Sequence, residues 1–89
     1  MSMIEYKVRF IVRFRSNDYK EIEIAKDIIL SYLENSEVTS ERIAEEIYIR
    51  FTNPFFKTRT IVDNNKLYVI DEIYSIEIVG FEKIEKVEE

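Results

Sequence analysis

The sequence predicts an α+β domain in which one or two helices pack on one face of an antiparallel sheet of four to five strands. Residues 6–15 read YKVRFIVRFR; the even positions are apolar, and the odd positions are basic apart from Ile11. Successive side chains of a strand point to opposite faces, so this alternation indicates a half-buried strand with one cationic face. Apolar residues at helical spacing follow, and segments rich in β-branched and aromatic residues close the chain. The expected element order is therefore β-α-α-β-β-β.

The first strand is expected from about Met3 to Arg15, and a polar cluster at 16–18 ends it. The segment after this turn fits two structures. Residues 19–24 alternate like a returning strand, which would place Glu21 and Glu23 opposite the last arginines of the first strand. The segment also fits a helix that begins by Ala25 and ends near Asn35. The helix is favoured because one stripe at helical spacing contains Ile22, Ala25, Ile28, Ile29, Tyr32 and Leu33.

A second helix is expected from Ser40 to about Ile47, with Thr39 as its N-cap and with Ile43 facing the sheet. Residues 46–52 also alternate like a strand, so the end of this helix stays open. The dipeptide Asn53-Pro54 interrupts the preceding element, because proline has no N–H to donate to a ladder.

Three strand segments follow, beginning with Phe55–Val62. A hairpin turn is expected at 63–66, because asparagine tolerates the left-handed conformation that a two-residue loop requires. The chain then returns over Leu67–Ile70. The apolar phase shifts at Asp71-Glu72, which indicates a bend, and a last strand covers Ile73–Phe81.

A second fold is also considered. Residues 28–47 resemble the first two helices of a winged helix-turn-helix domain. The resemblance implies that Asn53-Pro54 caps a third, recognition helix running through Arg59, and that Asn64-Asn65 lies in the wing. It covers about a fifth of the chain.

Composition bounds the class of protein. With 89 residues and no linker or repeat, we expect a single domain over 1–89 whose acidic tail at 82–89 frays. No apolar run approaches the roughly 18 residues of a membrane span, and charges begin too early for a signal peptide, so we expect a cytoplasmic protein, in the host cytoplasm if it is viral.

The chain lacks Gln and Cys, has one Gly and is rich in Glu, a pattern typical of thermophiles and suggestive of a hyperthermophilic archaeon or its virus. An AT-rich mesophile genome would also raise Ile, Lys, Asn and Tyr.

Catalytic chemistry is restricted by what the chain lacks. Without His or Cys, Ser-His-Asp and Cys-His nucleophile systems and thiolate or imidazole zinc sites are excluded, and a lone Gly80 provides no glycine-rich phosphate loop. Carboxylate chemistry survives, but so many acidic residues produce such groupings as ordinary surface charge. By their position near strand ends, the candidates for carboxylate chemistry are Asp63, Asp71, Glu72 and Glu77. Because ordinary surface charge accounts for them, we expect a non-enzymatic protein without a cofactor or metal.

Charge is segregated along the chain. Residues 1–15 and 47–70 each hold four basic residues and one acidic residue, whereas residues 16–46 hold three basic and nine acidic ones. The basic blocks fall mainly on predicted strands, which predicts a cationic sheet face that contacts phosphates and stacks bases. The candidate nucleic-acid-binding residues are Lys7, Arg9, Arg13, Arg15, Arg50, Lys57, Arg59 and Tyr48.

Two alternatives stand beside nucleic-acid binding. If residues 19–24 form a strand, Glu21 and Glu23 neutralise Arg13 and Arg15, and the basic face becomes a network of surface ion pairs. A separate alternative is a homo-oligomeric structural or interaction protein, most simply a homodimer, because small domains gain stability by association and oppositely charged faces favour self-assembly. Its interface would be an edge strand such as Phe55–Val62, paired across a two-fold axis. A related alternative is a viral inhibitor of a host protein whose acidic residues mimic nucleic acid; these are Glu34, Glu37, Glu41 and Glu45.

Overall fold

Four strands and one helix make up the part of the chain that the structure, a computed structural model, describes, namely residues 2–52 and 59–84. The strands form one antiparallel sheet in the order β2-β1-β4-β3. The α+β class and the antiparallel sheet are confirmed, but the order of elements is β-β-α-β-β. The elements are β1 Met3–Ser16, β2 Glu21–Leu33, α1 Ser40–Thr52, β3 Thr60–Asp63 and β4 Lys66–Lys83.

The core lies between α1 and one face of the sheet. The even residues of β1 from Val8 to Phe14 are buried, as the alternation predicts. They contact Ile43 and Ile47 of the helix and apolar residues of β2 and β4. Aromatic rings meet edge to face in this layer, with 6.5 Å between the ring centres of Phe10 and Phe51. Burial of these side chains is the main stabilising term of the fold.

The prediction of a helix between Ala25 and Asn35 is wrong, because Glu21–Leu33 forms β2. β2 pairs with β1 without interruption, from Met3 opposite Leu33 to Arg15 opposite Glu21. This long ladder outweighs the local helical stripe, which mixes residues from both faces of the strand. The winged helix-turn-helix alternative is not confirmed, because residues 28–33 of its first helix lie in this strand.

The turn between β1 and β2 contains a conformation that the sequence does not reveal. Tyr19 has φ of 64°, in the left-handed region, and its side chain is 80% exposed. The Tyr19 N–H donates to the Ser16 carbonyl, and the Ser16 N–H donates to the Lys20 carbonyl, which closes a three-residue loop. The third loop position of such hairpins favours glycine or asparagine. Tyr19 is therefore strained, and its exposed ring gains a compensating cation–π contact with Arg15, whose guanidinium carbon lies 5.9 Å from the ring centre.

Replacing Tyr19 with asparagine should stabilise the protein by up to about 1 kcal/mol, since asparagine adopts the left-handed region more readily than tyrosine. The matched reverse change is Asn65→Tyr at φ of 64° in the second hairpin, which should destabilise the protein. Urea unfolding of both variants measures the effect. Tyr19→Ala loses the same ring contact with Arg15, so a Tyr19→Asn variant no more stable than Tyr19→Ala would show that the turn carries no strain.

Helix α1 confirms the second predicted helix and its cap. The Arg42 N–H donates to the Thr39 hydroxyl at 3.2 Å, as an N-cap requires. Ile43 and Ile47 are the buried residues of this helix. The helix continues to Thr52, so residues 46–52 are helical, and the alternating apolar residues do not share one face: Ile47 is buried and Ile49 is exposed.

The hairpin between β3 and β4 is also confirmed. Asn64 and Asn65 both have positive φ, 49° and 64°, as a two-residue loop requires. The strand before it spans Thr60–Asp63 only, and residues 55–58 of the predicted strand lie outside the described residues.

β4 is one continuous strand interrupted by three β-bulges. At each bulge two successive residues of β4 oppose one residue of β1, and both point away from the helix. The buried or half-buried positions of β4 therefore recur mostly at intervals of three, as Ile70, Ile73, Ile76, Ile78 and Phe81. The predicted bend at Asp71-Glu72 is the first bulge. Glu82 and Lys83 continue β4, while residues 85–89 of the expected tail lie outside the described part of the chain.

Candidate functional surface

The sheet face opposite α1, here called the open face, carries most of the candidate binding residues. The odd residues of β1 contribute a central row that includes Lys7, Arg9, Arg13 and Arg15. β2 and β4 flank this row on both sides and place carboxylates beside it. These carboxylates are Glu21, Glu23 and Asp27 of β2 and Asp71, Glu72, Glu77 and Glu82 of β4.

The first two arginines bind carboxylates of neighbouring strands. The Arg9 guanidinium donates two hydrogen bonds to Asp27, at 2.9 and 3.3 Å. Arg13 lies between two partners, with Glu23 of β2 at 2.7 Å and Glu77 of β4 at 3.2 Å. Arg9 and Arg13 are thus each paired with carboxylates of neighbouring strands. These contacts are those of the interpretation above in which the basic face is a network of surface ion pairs.

Arg15 is held by the first bulge of β4. Its guanidinium is 2.7 Å from Asp71 and 3.2 Å from Glu72. Adjacent residues of a regular strand would point to opposite faces, but the bulge turns both carboxylates to the open face. The strand alternative predicts Glu21, which lies directly opposite Arg15 on β2, as a partner of the last arginines, but Arg15 pairs with Asp71 and Glu72 instead. Asp71, Glu72 and Glu77, considered above as catalytic candidates, are therefore partners of arginines.

Hydrogen bonding from Arg9 lowers the pKa of Asp27, with the positive charge of the same residue adding to the effect. An ionised carboxylate that is stabilised in the folded state contributes stability above its unfolded pKa of about 3.9. That contribution is lost as the pH falls through the lower pKa of the folded state. Asp27 therefore stabilises the protein at neutral pH and stops doing so in acid.

Asp27→Asn should lower the melting midpoint at pH 7 and should leave it nearly unchanged at pH values below the folded-state pKa. The measurement is a pH series of thermal unfolding for the parent and the variant. In an Arg9→Met background, the same substitution should have little effect at either pH. An effect of Asp27→Asn that does not vary with pH would contradict the assignment.

The remaining candidates lie elsewhere. Tyr48 and Arg50 are on α1, on the other side of the sheet, and Arg50 is 3.7 Å from Glu46. Arg59 precedes β3 and lines a hollow of about 200 Å³ together with Tyr48. Lys57 is outside the described residues. The structure brings together the four β1 cations, and it does not add Tyr48 or Arg50 to them.

A second feature, absent from the predicted site, is the outer edge of β2. β2 is the first strand of the sheet, and α1 approaches β4 more closely than β2. At both ends of the β1–β2 ladder the hydrogen bonds join even residues, Ser16 to Lys20 and Ser2 to Glu34. Hydrogen-bonded pairs alternate in an antiparallel ladder, so the odd residues of β2 direct their N–H and C=O groups outward.

This edge is long and regular. No bulge interrupts the β1–β2 ladder, whereas three bulges distort β4. Ile29 and Leu33, on the open face beside the edge, are exposed apolar residues, with Ile29 at 54%. Proteins usually blunt exposed edges with proline, bulges or charge, because a regular edge pairs readily with another strand. β2 contains no proline, and its charged residues Glu21, Glu23, Lys26 and Asp27 lie in its first half, so residues 28–33 form an uncharged stretch of edge.

No protein-family model, curated protein or solved structure matches this chain. The helix of the described residues is neither long nor apolar enough to cross a membrane. Within residues 2–52 and 59–84, no group of acidic side chains is arranged to hold a metal ion.

Proposed function

We propose that this protein is a non-enzymatic interaction protein that works as a homo-oligomer, assembled through its sheet. The outer edge of β2 carries this proposal, because it offers a long row of backbone donors and acceptors beside exposed apolar side chains. A small domain also gains buried surface by association.

The ion pairs of the open face favour this function over nucleic-acid binding. A phosphate that approaches Arg9, Arg13 or Arg15 must compete with carboxylates already in contact with each guanidinium. The four β1 cations are also outnumbered by the carboxylates beside them, and the chain has a net charge of −5. Both features oppose the phosphate contacts on which nucleic-acid affinity depends.

Sedimentation equilibrium tests the proposal. The monomer mass is 10.8 kDa, and we expect a larger, concentration-dependent mass at micromolar concentrations. A strict monomer at high micromolar concentration would contradict homo-oligomerisation.

Titration with single- and double-stranded DNA and RNA across a salt series separates the two functions. We expect no nucleic-acid binding of the kind whose affinity falls steeply as the salt concentration rises. Binding whose affinity falls linearly with the logarithm of salt concentration would instead support nucleic-acid contact through the β1 cations. Arg13→Gln should reduce that slope if the open face is the binding surface.

A further inference from the structure

We infer that two copies of this chain pair through β2, antiparallel and about a two-fold axis at Ile28, so that their sheets join into one. This inference rests on the proposed homo-oligomeric function and names its interface. The axis lies perpendicular to the sheet, so both helices lie on the same side of the joined sheet.

Backbone geometry restricts how two β2 edges combine. The outward N–H and C=O groups belong to odd residues, so each hydrogen-bonded pair must join two odd residues. A register that placed odd residues opposite even ones would also bring the open face of one copy beside the core face of the other. Pairing about a residue of β2, rather than about a peptide bond, meets both conditions.

Charge then selects the residue at the axis. An axis at Lys26 sets Lys26 against its own copy, and an axis at Asp27 does the same with two carboxylates. Axes nearer the start of β2 place an acidic residue of one copy opposite an acidic residue of the other. Like charges directly opposite each other destabilise a strand pair. An axis at Ile28 gives the longest overlap, residues 23–33, in which no like charges are opposite.

The side chains in this register are complementary. Ile28, which α1 and the core leave half-buried, packs against its copy on the core face. Lys26 lies opposite Leu30, and its alkyl chain covers apolar surface while the ammonium reaches solvent. On the open face Ile29 lies opposite Asp27 and diagonal to the Ile29 of the second copy. The two exposed isoleucines are therefore within reach of each other, and the two Asp27 carboxylates, which are diagonal in the same way, are each bound by Arg9 of their own copy.

Because the chain contains no cysteine, introduced thiols report the register directly. Even residues of β2 form non-hydrogen-bonded pairs with the second copy, with Cα atoms about 4.5 Å apart, a separation that suits a disulfide. Ile28→Cys should form a disulfide-linked dimer under mild oxidation. The matched control Lys26→Cys, on the same face two residues away, should remain largely uncrosslinked.

Proline tests the edge independently. The Ser31 N–H points outward, so Ser31→Pro removes a donor from the dimer interface without removing a hydrogen bond to β1. We expect a folded protein by circular dichroism that sediments as a monomer. Ser31→Ala keeps the N–H and should remain dimeric.

The outcomes separate the two proposals. Disulfide-linked dimers of the Ile28→Cys variant, together with dissociation of the dimer by Ser31→Pro, support the inference. If the parent oligomerises but Lys26→Cys is crosslinked in place of Ile28→Cys, the Ile28 axis is wrong. If neither variant is crosslinked, or folded Ser31→Pro still assembles, the β2 interface is wrong and homo-oligomerisation stands. If the parent remains a monomer, both proposals fail.

Discussion

Phe14→Ala should reduce the free energy of unfolding by about 3–5 kcal/mol, as expected for a fully buried aromatic side chain. Phe14 has no exposed surface, and its ring lies 6.0 Å from that of Tyr68, edge to face. Its neighbours on the two adjacent strands are Ile22 and Ile73. Because both residues are held by strand pairing with β1, they have little freedom to fill the cavity. A domain of this size has only about 5–15 kcal/mol of stability, so the variant should be close to unfolding.

Urea denaturation measures the loss, and Phe81→Ala is the matched control. Phe81 faces the same side of the sheet from β4 but is only half-buried, so its truncation should cost clearly less. Equal losses at the two positions, with unchanged denaturant slopes, would show that the core is not centred where the structure places it.

The parts of the fold that sequence predicts are those with an unambiguous local pattern. β1 alternates over its whole length, Thr39 is a standard cap, and two asparagines mark the β3–β4 turn. The strand β2 is not predicted in this way, because the adjacent residues Ile28 and Ile29 put apolar side chains on both of its faces. The choice between helix and strand is made by pairing with β1, a non-local contact. Ile29 shows the difference: it belongs to the apolar stripe of the predicted helix, but in the strand it is exposed on the open face.

The partners of the arginines show a second limit. The strand alternative places Glu23 opposite Arg13, and the structure contains that pair. The partners on β4 could not be assigned, because each bulge shifts the register by one residue. The change of apolar phase at Asp71-Glu72 marks the first bulge in the sequence, but a bend in the strand produces a similar change of phase. The strained Tyr19 left no signal, since tyrosine is uncommon in the left-handed region.

A melting midpoint well above the mesophile range of roughly 45–65 °C is the second large effect that we expect. The chain has one glycine and no Gln or Cys, and the arginines of β1 bridge three strands through carboxylates. The desolvation cost of ion pairs falls as temperature rises, so networks of this kind contribute more near the midpoint than at 25 °C. Single exposed pairs contribute only about 0–1 kcal/mol, so the effect depends on the network.

Calorimetry at low and high salt separates ion pairs from core packing. Screening weakens the exposed pairs and should lower the midpoint, while the net charge of −5 means that salt also relieves repulsion, so the fall should be small. Arg15→Gln removes the cation between Asp71 and Glu72, leaving two adjacent carboxylates that repel each other. This variant should melt a few degrees lower, and added salt should raise its midpoint because it screens the repulsion. A parent midpoint below about 65 °C would contradict the thermophile assignment, since that value lies within the mesophile range.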